Sequence, residues 1–347
     1  MDSMSYSILF LGSNSIASTS RHRADALRRL GCLVTVVDPE ELLGPRSRWQ
    51  SFLDYRTGYI WLHQKLLQAF KINENFSALS SSSLVWVEGG ELYGPPFLEW
   101  ISSCFSCPII LFNGDDPTGP RDGAKFRSLR ASFPYYTLCV LPRQETALEA
   151  LALGARKVLA VQFAYDERVH SRDPVSLRHA PKPVVSFIGT FIRGEARDRF
   201  LVALIQGGLP LRLIGNRWHR SPVWPLLQTI YEGSARIGPA YTDALADATV
   251  SLGFLSHQNR DLKTLRSFEV PACAGLLCAE RSSEHLLLYE DGYDAVFWSS
   301  PKECISLCKK LLEDAKFRDQ LCMNGWRHVH QIGVGNQDIC RQILASI

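Results

Sequence analysis

The sequence lacks the features that mark membrane-spanning, secreted or nucleic-acid-binding proteins. No apolar run reaches the length of about 18 residues that a membrane span needs. The first apolar run, at residues 8–11, has no basic segment before it, so no signal peptide is expected. A formal net charge of +3 is too small to make nucleic acid the main partner. These absences predict a cytoplasmic protein without a transmembrane segment.

The cysteines do not form a recognisable metal-binding pattern. The chain has ten of them, most within apolar stretches, where a free thiol packs as a small hydrophobe. Cys104 and Cys107 form a C-x-x-C pair, but no second pair follows at zinc-site spacing. We therefore expect no metal site and a reducing compartment.

The nucleotide-binding glycine motifs are also missing. The loop after the first strand, residues 12–21, fits neither G-x-G-x-x-G nor G-x-x-x-x-G-K-[ST]. It does place small residues and hydroxyls before a predicted helix, where an anion or a sugar could bind. Ordinary turn chemistry explains the same composition.

Two local basic clusters leave a charged partner open. One lies at residues 21–29, and the other comprises Arg121, Lys125, Arg127 and Arg130. Both fit solvated helix faces, and both fit a site for an anionic ligand or an anionic membrane surface. A peripheral membrane contact is therefore compatible with the sequence.

What is present is an α/β pattern that occurs twice. Short apolar strands alternate with helical segments, which is typical of parallel sheets. The length of 347 residues suits two domains. We predict an N-terminal Rossmann-like domain at 1–168, a second at 182–330, and a tail helix at 331–347 that could pack back on the first domain. A polar stretch at 166–183 with several prolines predicts the linker.

The residues after the strands of the second domain are the candidates for binding. Arg266 and Glu269 are three apart, so they share a helix face. If the helix starts earlier, Asp261 lies about two turns before Glu269. A carboxylate can hold a ribose diol and an arginine a diphosphate, but a surface ion pair would have the same spacing.

Several motifs resemble the GT-B glycosyltransferases called CgeB-like, or spore-maturation-type, of the group 1 superfamily. The densest match is the run Arg266-Ser-Phe-Glu-Val-Pro-Ala-Cys-Ala-Gly275. Further similarity lies in Val185-Ser-Phe-Ile-Gly-Thr190, Leu213-Ile-Gly-Asn-Arg-Trp218 and Gly238-Pro-Ala-Tyr241. In the first domain the similarity to the family is looser, and it lies in Leu84-Val-Trp-Val-Glu-Gly-Gly90 and Asn113-Gly-Asp-Asp-Pro117.

The resemblance implies a GT-B fold, with two Rossmann-like domains facing across a cleft, and a hexosyltransferase-like activity. The donor would be a nucleoside diphosphate sugar such as a UDP-sugar, bound without metal or cofactor. Glu269 would hold the ribose and Asp261 would take the other acidic position. Arg193 and Arg266 would stabilise the leaving diphosphate, with Arg197 as the alternative to Arg193. The other implied donor-site residues are Gly189, Thr190, Asn216, Gly238, Tyr241 and His257.

The acceptor side is less defined. An inverting enzyme would need a base in the first domain. Asp115 is the chosen candidate, and the alternatives are Asp116, His22 and Glu88. The spacing of Asp261 and Glu269 favours retention, which needs no such base. Trp218 and Tyr241 are candidates for stacking on the nucleotide base, although such rings more often pack in the core or at its rim.

Two other functions fit the same sequence. One is another nucleotide-sugar enzyme of this fold, such as a 2-epimerase, and the other is a non-catalytic cytoplasmic ligand-binding protein. The acceptor hydroxyl could belong to a glycan, a lipid-linked molecule or a small molecule.

Overall fold

The chain forms two structural units. The computed structural model describes residues 6–72, 81–172 and 183–347. The first unit comprises Met1–Gln162, Gln258–Arg260 and Asn336–Ile347, and the second comprises Phe163–His257 and Asp261–Gly335. The division falls a few residues before the predicted end of the first domain at 168. Most of the proline-containing linker prediction, residues 173–182, lies outside the described residues.

Each unit is built on a six-stranded sheet. The strands of the first unit are β1 Ser7–Leu11, β2 Leu33–Val37, β3 Leu84–Glu88, β4 Ile109–Phe112, β5 Leu138–Leu141 and β6 Val158–Ala160. Those of the second are β7 Val185–Ile188, β8 Leu211–Ile214, β9 Tyr231–Gly233, β10 Val250–Gly253, β11 Leu277–Glu280 and β12 Val296–Trp298. The predicted α/β class with two Rossmann-like domains is confirmed.

The helices that connect these strands vary from four to 17 residues. The first unit contains α1 Thr19–Arg29, α2 Pro39–Leu43, α3 Arg48–Thr57, α4 Ile60–Ile72, α5 Pro95–Cys104, α6 Arg127–Ser132 and α7 Gln144–Ala152. The second contains α8 Arg197–Gln206, α9 Trp224–Leu227, α10 Pro239–Ala246, α11 Arg266–Ala272, α12 Ser283–Leu288, α13 Pro301–Glu313 and α14 Ala315–Gln331, and α15 Asn336–Leu344 returns to the first. Among the described helices, none combines the length and apolarity that a bilayer span requires.

The first sheet has the order β2-β1-β3-β4-β5-β6. Its central strands are fully buried, and α15 packs against α1 beside them. Arg23 and Glu88 form a buried ion pair, with 2.7 Å from Nε to Oε1 and from Nη2 to Oε2. The guanidinium of Arg23 also lies 3.9 Å from the centre of the Phe112 ring. This pair ties the end of β3 to α1.

The second sheet has the order β12-β11-β10-β7-β8-β9. All the described strand pairs are parallel, so the carboxyl ends of these strands lie at one edge. The chain runs outward from β7 through β8 and β9, then returns to add β10 on the other side. The ends of β7 and β10 therefore flank the switch point, where ligands of open α/β sheets bind.

Trp218 belongs to the core of the second unit. It is fully buried, and its Nε1 donates a hydrogen bond of 2.8 Å to the carbonyl of Gly189. Its ring contacts Phe187 and Phe191. Of the two roles that the sequence leaves open for Trp218, the structure shows core packing, because the ring is buried beneath the loop after β7.

The close approach of β7 and β8 gives a first prediction. Gly215 has φ +147°, and a Cβ there would lie 1.9 Å from the Gly189 carbonyl oxygen, whereas Gly233 has φ +123° with open space around it. We expect Gly215→Ala to lower the free energy of unfolding by about 2 kcal/mol more than Gly233→Ala, because both strain the backbone but only the first displaces a neighbouring strand end. Urea unfolding of the two variants measures the difference, and equal losses would contradict the explanation.

Candidate functional site

A buried carboxylate lies below the carboxyl edge of the second sheet. Glu269, in the short helix α11, is 5% exposed. Its Oε2 accepts a hydrogen bond of 2.8 Å from Arg266 Nη1 and another from the Tyr241 hydroxyl. Its Oε1 lies 3.6 Å from His170 Nε2. We call His170, Tyr241, Arg266 and Glu269 the Glu269 cluster.

Electrostatics keep Glu269 ionised despite its burial. Burial tends to raise the pKa of Glu269, but the Arg266 charge, the facing His170 and the hydrogen bonds outweigh it and lower that pKa. Burial, together with the nearby carboxylate, raises the pKa of Tyr241 well above its ordinary value, so its hydroxyl keeps the proton that it donates. His170 Nδ1 accepts the Asp166 N–H at 2.9 Å, which places the proton of the neutral ring on Nε2, towards Glu269.

Arg266 connects this cluster to the end of β7. Its Nε donates to the Ile188 carbonyl over 3.4 Å, and its guanidinium lies 4.9 Å from the centre of the Tyr241 ring. The side chain remains 30% exposed, in contrast to its partner carboxylate. The cluster therefore fixes the Arg266 cation at the carboxyl end of β7, and part of the guanidinium surface remains accessible to a ligand.

A second cluster gathers charge from three strand ends. His257 follows β10, Glu195 follows β7, and Glu280 ends β11. The ring of His257 lies between the two carboxylates, with Nδ1 3.2 Å from Glu195 Oε2 and Nε2 2.7 Å from Glu280 Oε1. Ser256 and the His257 N–H also donate to Glu195. We call Glu195, His257 and Glu280 the His257 cluster.

This arrangement favours the charged imidazolium. Partial burial tends to lower the pKa of His257, but the carboxylates of Glu280 and Glu195 outweigh burial and raise it. The ring is largely exposed, whereas the Glu195 side chain is 1% exposed. The cluster can therefore present a protonated histidine at the switch point between β7 and β10.

The predicted helical link between Asp261 and Glu269 is wrong. Helix α11 begins at Arg266, and residues 261–265 form bends and a turn. Arg260, which a longer helix would place near its start, lies in the first unit, where its side chain pairs with Asp116 at 2.7 Å. Because α11 has only seven residues and begins at Arg266, its helical spacing does not reach Asp261.

The other predicted donor-site residues lie outside both clusters. Arg193 is exposed in the loop after β7, which also contains the half-buried Gly189 and Thr190. Asn216 is exposed after β8, where its Oδ1 accepts the Ala235 N–H at 3.1 Å. Gly238 adopts φ 55° at the start of α10. These residues follow the strands as predicted, but their role in binding stays a prediction.

In the first unit, two of the candidate bases are held by arginines. Glu88 is paired with Arg23, and Asp116 accepts from Arg260 Nε and Nη2, each at 2.7 Å. Burial tends to raise the pKa of Asp116, but Arg260 and Thr146 outweigh it and lower that pKa, which makes a poor base. Asp115 is more exposed and accepts from Lys125 Nζ at 3.1 Å. His22 is half-buried on α1.

Three thiols also meet in the core of the second unit. Cys278 on β11 faces Cys304 and Cys308 on α13, and their sulfur atoms all lie within 4.8 Å. All three side chains are buried, and the two on α13 have sulfur atoms 4.0 Å apart. Among the described residues this group has a composition that could hold a metal ion, although its packing also suits apolar thiols. The expectation that no metal takes part stays a prediction.

Sequence reasoning missed several members of the two clusters. Glu280 is the last residue of β11 and Glu195 lies in the segment after β7, so both are close to the strand ends where ligands were expected. No motif marks His170, which was placed in the predicted linker. Its contact with Glu269 joins two segments that are far apart in the sequence, and local sequence patterns do not predict such a contact.

Comparisons with known proteins show which sequence family and which solved structures this chain resembles. Residues 196–344 match a sequence family described as glycosyl transferase-like. Sucrose-phosphate synthase from Thermosynechococcus elongatus is similar, with a TM-score of 0.71, 13% identity, and coverage of 98% of this chain and 100% of that chain. Anabaena Alr3699/HepE in complex with UDP-glucose gives 0.66 at 12% identity, covering 99% and 100%.

A third solved structure is from Listeria monocytogenes and is named as a candidate UDP-N-acetylglucosamine 2-epimerase. It gives a TM-score of 0.56 at 13% identity, covering 99% of this chain and 95% of that chain. No curated protein sequence matches the chain. The comparisons confirm the GT-B fold, and the narrower CgeB-like assignment stays a prediction.

The Glu269 cluster gives a stability prediction. We expect Glu269→Gln to cost about 3 kcal/mol of unfolding free energy, because it leaves Arg266 without its charge partner. The matched control is Glu232→Gln, in an exposed pair with Arg236, for which we expect a loss under about 0.5 kcal/mol. Because the folded-state pKa of Glu269 is lowered, the wild-type advantage should be present above the ordinary value of 4.5 and lost as pH falls through the folded-state pKa. Urea unfolding across acidic pH measures this, and equal effects of both variants would contradict it.

The His257 cluster gives a pH prediction of opposite sign. Because the pKa of His257 is raised in the folded state, its stabilising effect should be complete below the ordinary value of 6.5 and lost as pH rises through the raised pKa. His257→Gln should remove this dependence, whereas the exposed control His219→Gln should keep it. Ring NMR titration measures the pKa directly, and a value at or below 6.5 would overturn the proposed charge state.

Proposed function

We propose that this protein is a nucleotide-sugar-dependent glycosyltransferase whose second unit binds the donor. The observation that carries the proposal is the Glu269 cluster at the carboxyl end of β7. Three of its residues, Tyr241, Arg266 and Glu269, lie in the segment that matches a glycosyl transferase-like family. The transferred glycosyl group would go to an acceptor hydroxyl. A UDP-sugar is the proposed donor, which is supported by the similarity to a protein solved with UDP-glucose.

Arg266 is the proposed diphosphate ligand. Its guanidinium is fixed by Glu269 and Ile188 yet partly exposed, so binding an anion would cost little side-chain ordering. Negative charge grows on the diphosphate as the glycosyl bond breaks, and a preorganised cation stabilises that charge. The exposed Arg193 is the proposed second cation, and with it the reaction needs no metal.

Glu269 is the proposed ribose ligand. Arg266 and Tyr241 donate hydrogen bonds to its Oε2, whereas Oε1 faces His170 Nε2 over the longer distance of 3.6 Å. We propose that Oε1 also accepts a ribose hydroxyl, because a carboxylate oxygen has a further lone pair for a second donor. The lowered pKa of Glu269 keeps this oxygen an acceptor at neutral pH.

Retention of configuration is the proposed stereochemical course. It rests on Asp261 and Glu269 as the two acidic positions that the family resemblance implies. Helical spacing does not support it, because the two residues do not lie on one helix. Under retention no first-unit base is needed, and Asp115→Asn would keep most of the turnover. A large loss of turnover in that variant would favour inversion, with Asp115 as the base.

A 2-epimerase is the second candidate, and the His257 cluster favours it. An epimerase needs acid and base groups that converge on the donor sugar, and this cluster places a histidine with a raised pKa between two carboxylates. The fold is shared with the candidate epimerase from Listeria monocytogenes. Analysis of the products separates the two functions, since only a transferase forms a glycosylated acceptor.

Donor binding tests the site. We expect Arg266→Gln and Glu269→Gln each to weaken UDP-sugar binding by roughly 10- to 100-fold, because each removes a charge-assisted contact. The control Arg236→Gln removes an exposed arginine of the same unit and should leave affinity unchanged. Titration calorimetry measures binding, and UDP release with an acceptor measures turnover. Full affinity and turnover in both cluster variants would show that the donor binds elsewhere.

A further inference from the structure

Helix α3 exposes its apolar side. Trp49, Phe52 and Leu53 are 77%, 49% and 55% exposed. Together with Arg56 they follow the i, i+3, i+4, i+7 spacing that places residues on one helix face. Such a stripe is normally buried in a globular protein, so its exposure calls for a partner.

The orientation of α3 is fixed by a charge on its inner side. The buried residue of this helix is Asp54, which accepts a hydrogen bond of 3.1 Å from Arg46 Nη1. Ser47 and Gln50 close a capping box at the start of the helix. Rotating α3 to bury its apolar stripe would break the ion pair, so the outward stripe is built into the fold.

The next helix extends the same surface. Ile60 and Trp61 are 46% and 70% exposed at the start of α4, and Lys65 is exposed one turn later. The opposite side of α4 packs into the core through Leu62, Leu66 and Phe70. We call the exposed sides of α3 and α4 the α3–α4 face.

The charge of this face has one sign. Its basic residues are Arg48, Arg56, Lys65 and Lys71, all exposed. Asp54 is the acidic residue in the two helices, and it points inward to Arg46. The basic clusters picked out from the sequence differ, because Arg21 and Arg28 pair with Asp25, and Lys125 pairs with Glu91 and Asp115.

We infer that the α3–α4 face binds the surface of an anionic phospholipid bilayer. Tryptophans with an apolar stripe insert at the level of the headgroups, and flanking arginines and lysines bind the anionic phosphates. The lack of an outward carboxylate on either helix favours this partner over a protein surface of mixed charge. The inference concerns the first unit and does not depend on the donor site proposed above.

Vesicle flotation with the full chain tests the inference. We expect binding to vesicles of phosphatidylcholine with phosphatidylglycerol, weaker binding at high salt, and little binding to phosphatidylcholine alone. Neutralising Arg48 and Lys65 to Gln should lower the partition coefficient about 25-fold, at about fivefold for each residue. Trp49→Ser with Trp61→Ser should lower it about 100-fold, at about tenfold for each aromatic side chain that is buried in the bilayer.

Matched controls come from exposed residues of the second unit. Leu287→Ser removes an apolar side chain that is 86% exposed, and Lys302→Gln with Lys309→Gln removes two exposed charges of α13. These should keep wild-type partitioning. Circular dichroism and thermal midpoints establish that every variant is folded. A blue shift of wild-type tryptophan fluorescence with anionic vesicles alone gives a test that needs no variant.

Four results would overturn the inference. Three are equal binding to neutral and anionic vesicles, absence of binding to either, and equal losses in the control variants. Sedimentation that shows a self-associated species dispersed by Trp49→Ser would also overturn it, because the face would then be a contact between copies of this chain.

Discussion

The parallel pairing of the strands is the constraint on which the rest of this structure depends. In a parallel sheet every strand presents its carboxyl end at the same edge, so loops far apart in sequence meet there. Glu195, His257 and Glu280 follow three different strands of the second sheet and form one hydrogen-bonded group for this reason. The same edge receives Arg266 at the end of β7.

Buried charge then organises the short helices around that edge. Helix α11 has seven residues and contains Pro271, so its own backbone hydrogen bonds could not stabilise it in isolation. Its charged side chains are held from outside, by Tyr241 of α10, by His170 and by the Ile188 carbonyl. A carboxylate that is buried with such partners keeps its charge, and its geometry is fixed before a ligand arrives.

The two proposed activities use different physical features of the chain. Donor binding in the second unit depends on a few fixed, partly buried charges, which select one anionic ligand. Lipid contact in the first unit depends on exposed aromatic rings and exposed basic side chains, which suit a partner without fixed shape. Because no residue takes part in both, variants of one surface leave the chemistry of the other intact.

The sequence by itself determined the elements whose signals are local. The strands Ser7–Leu11 and Leu33–Val37 and the helix Arg197–Gln206 are such elements, because apolar runs and turn residues define them over a few positions. The three-residue strands β9 and β12 are not, since such lengths carry almost no periodic signal. Tertiary structure alone decided that α11 starts at Arg266, that Trp218 is core, that His170 meets Glu269, and that α3 turns its apolar side outward. Each depends on a partner distant in the sequence, and local patterns do not record the free energy of such contacts.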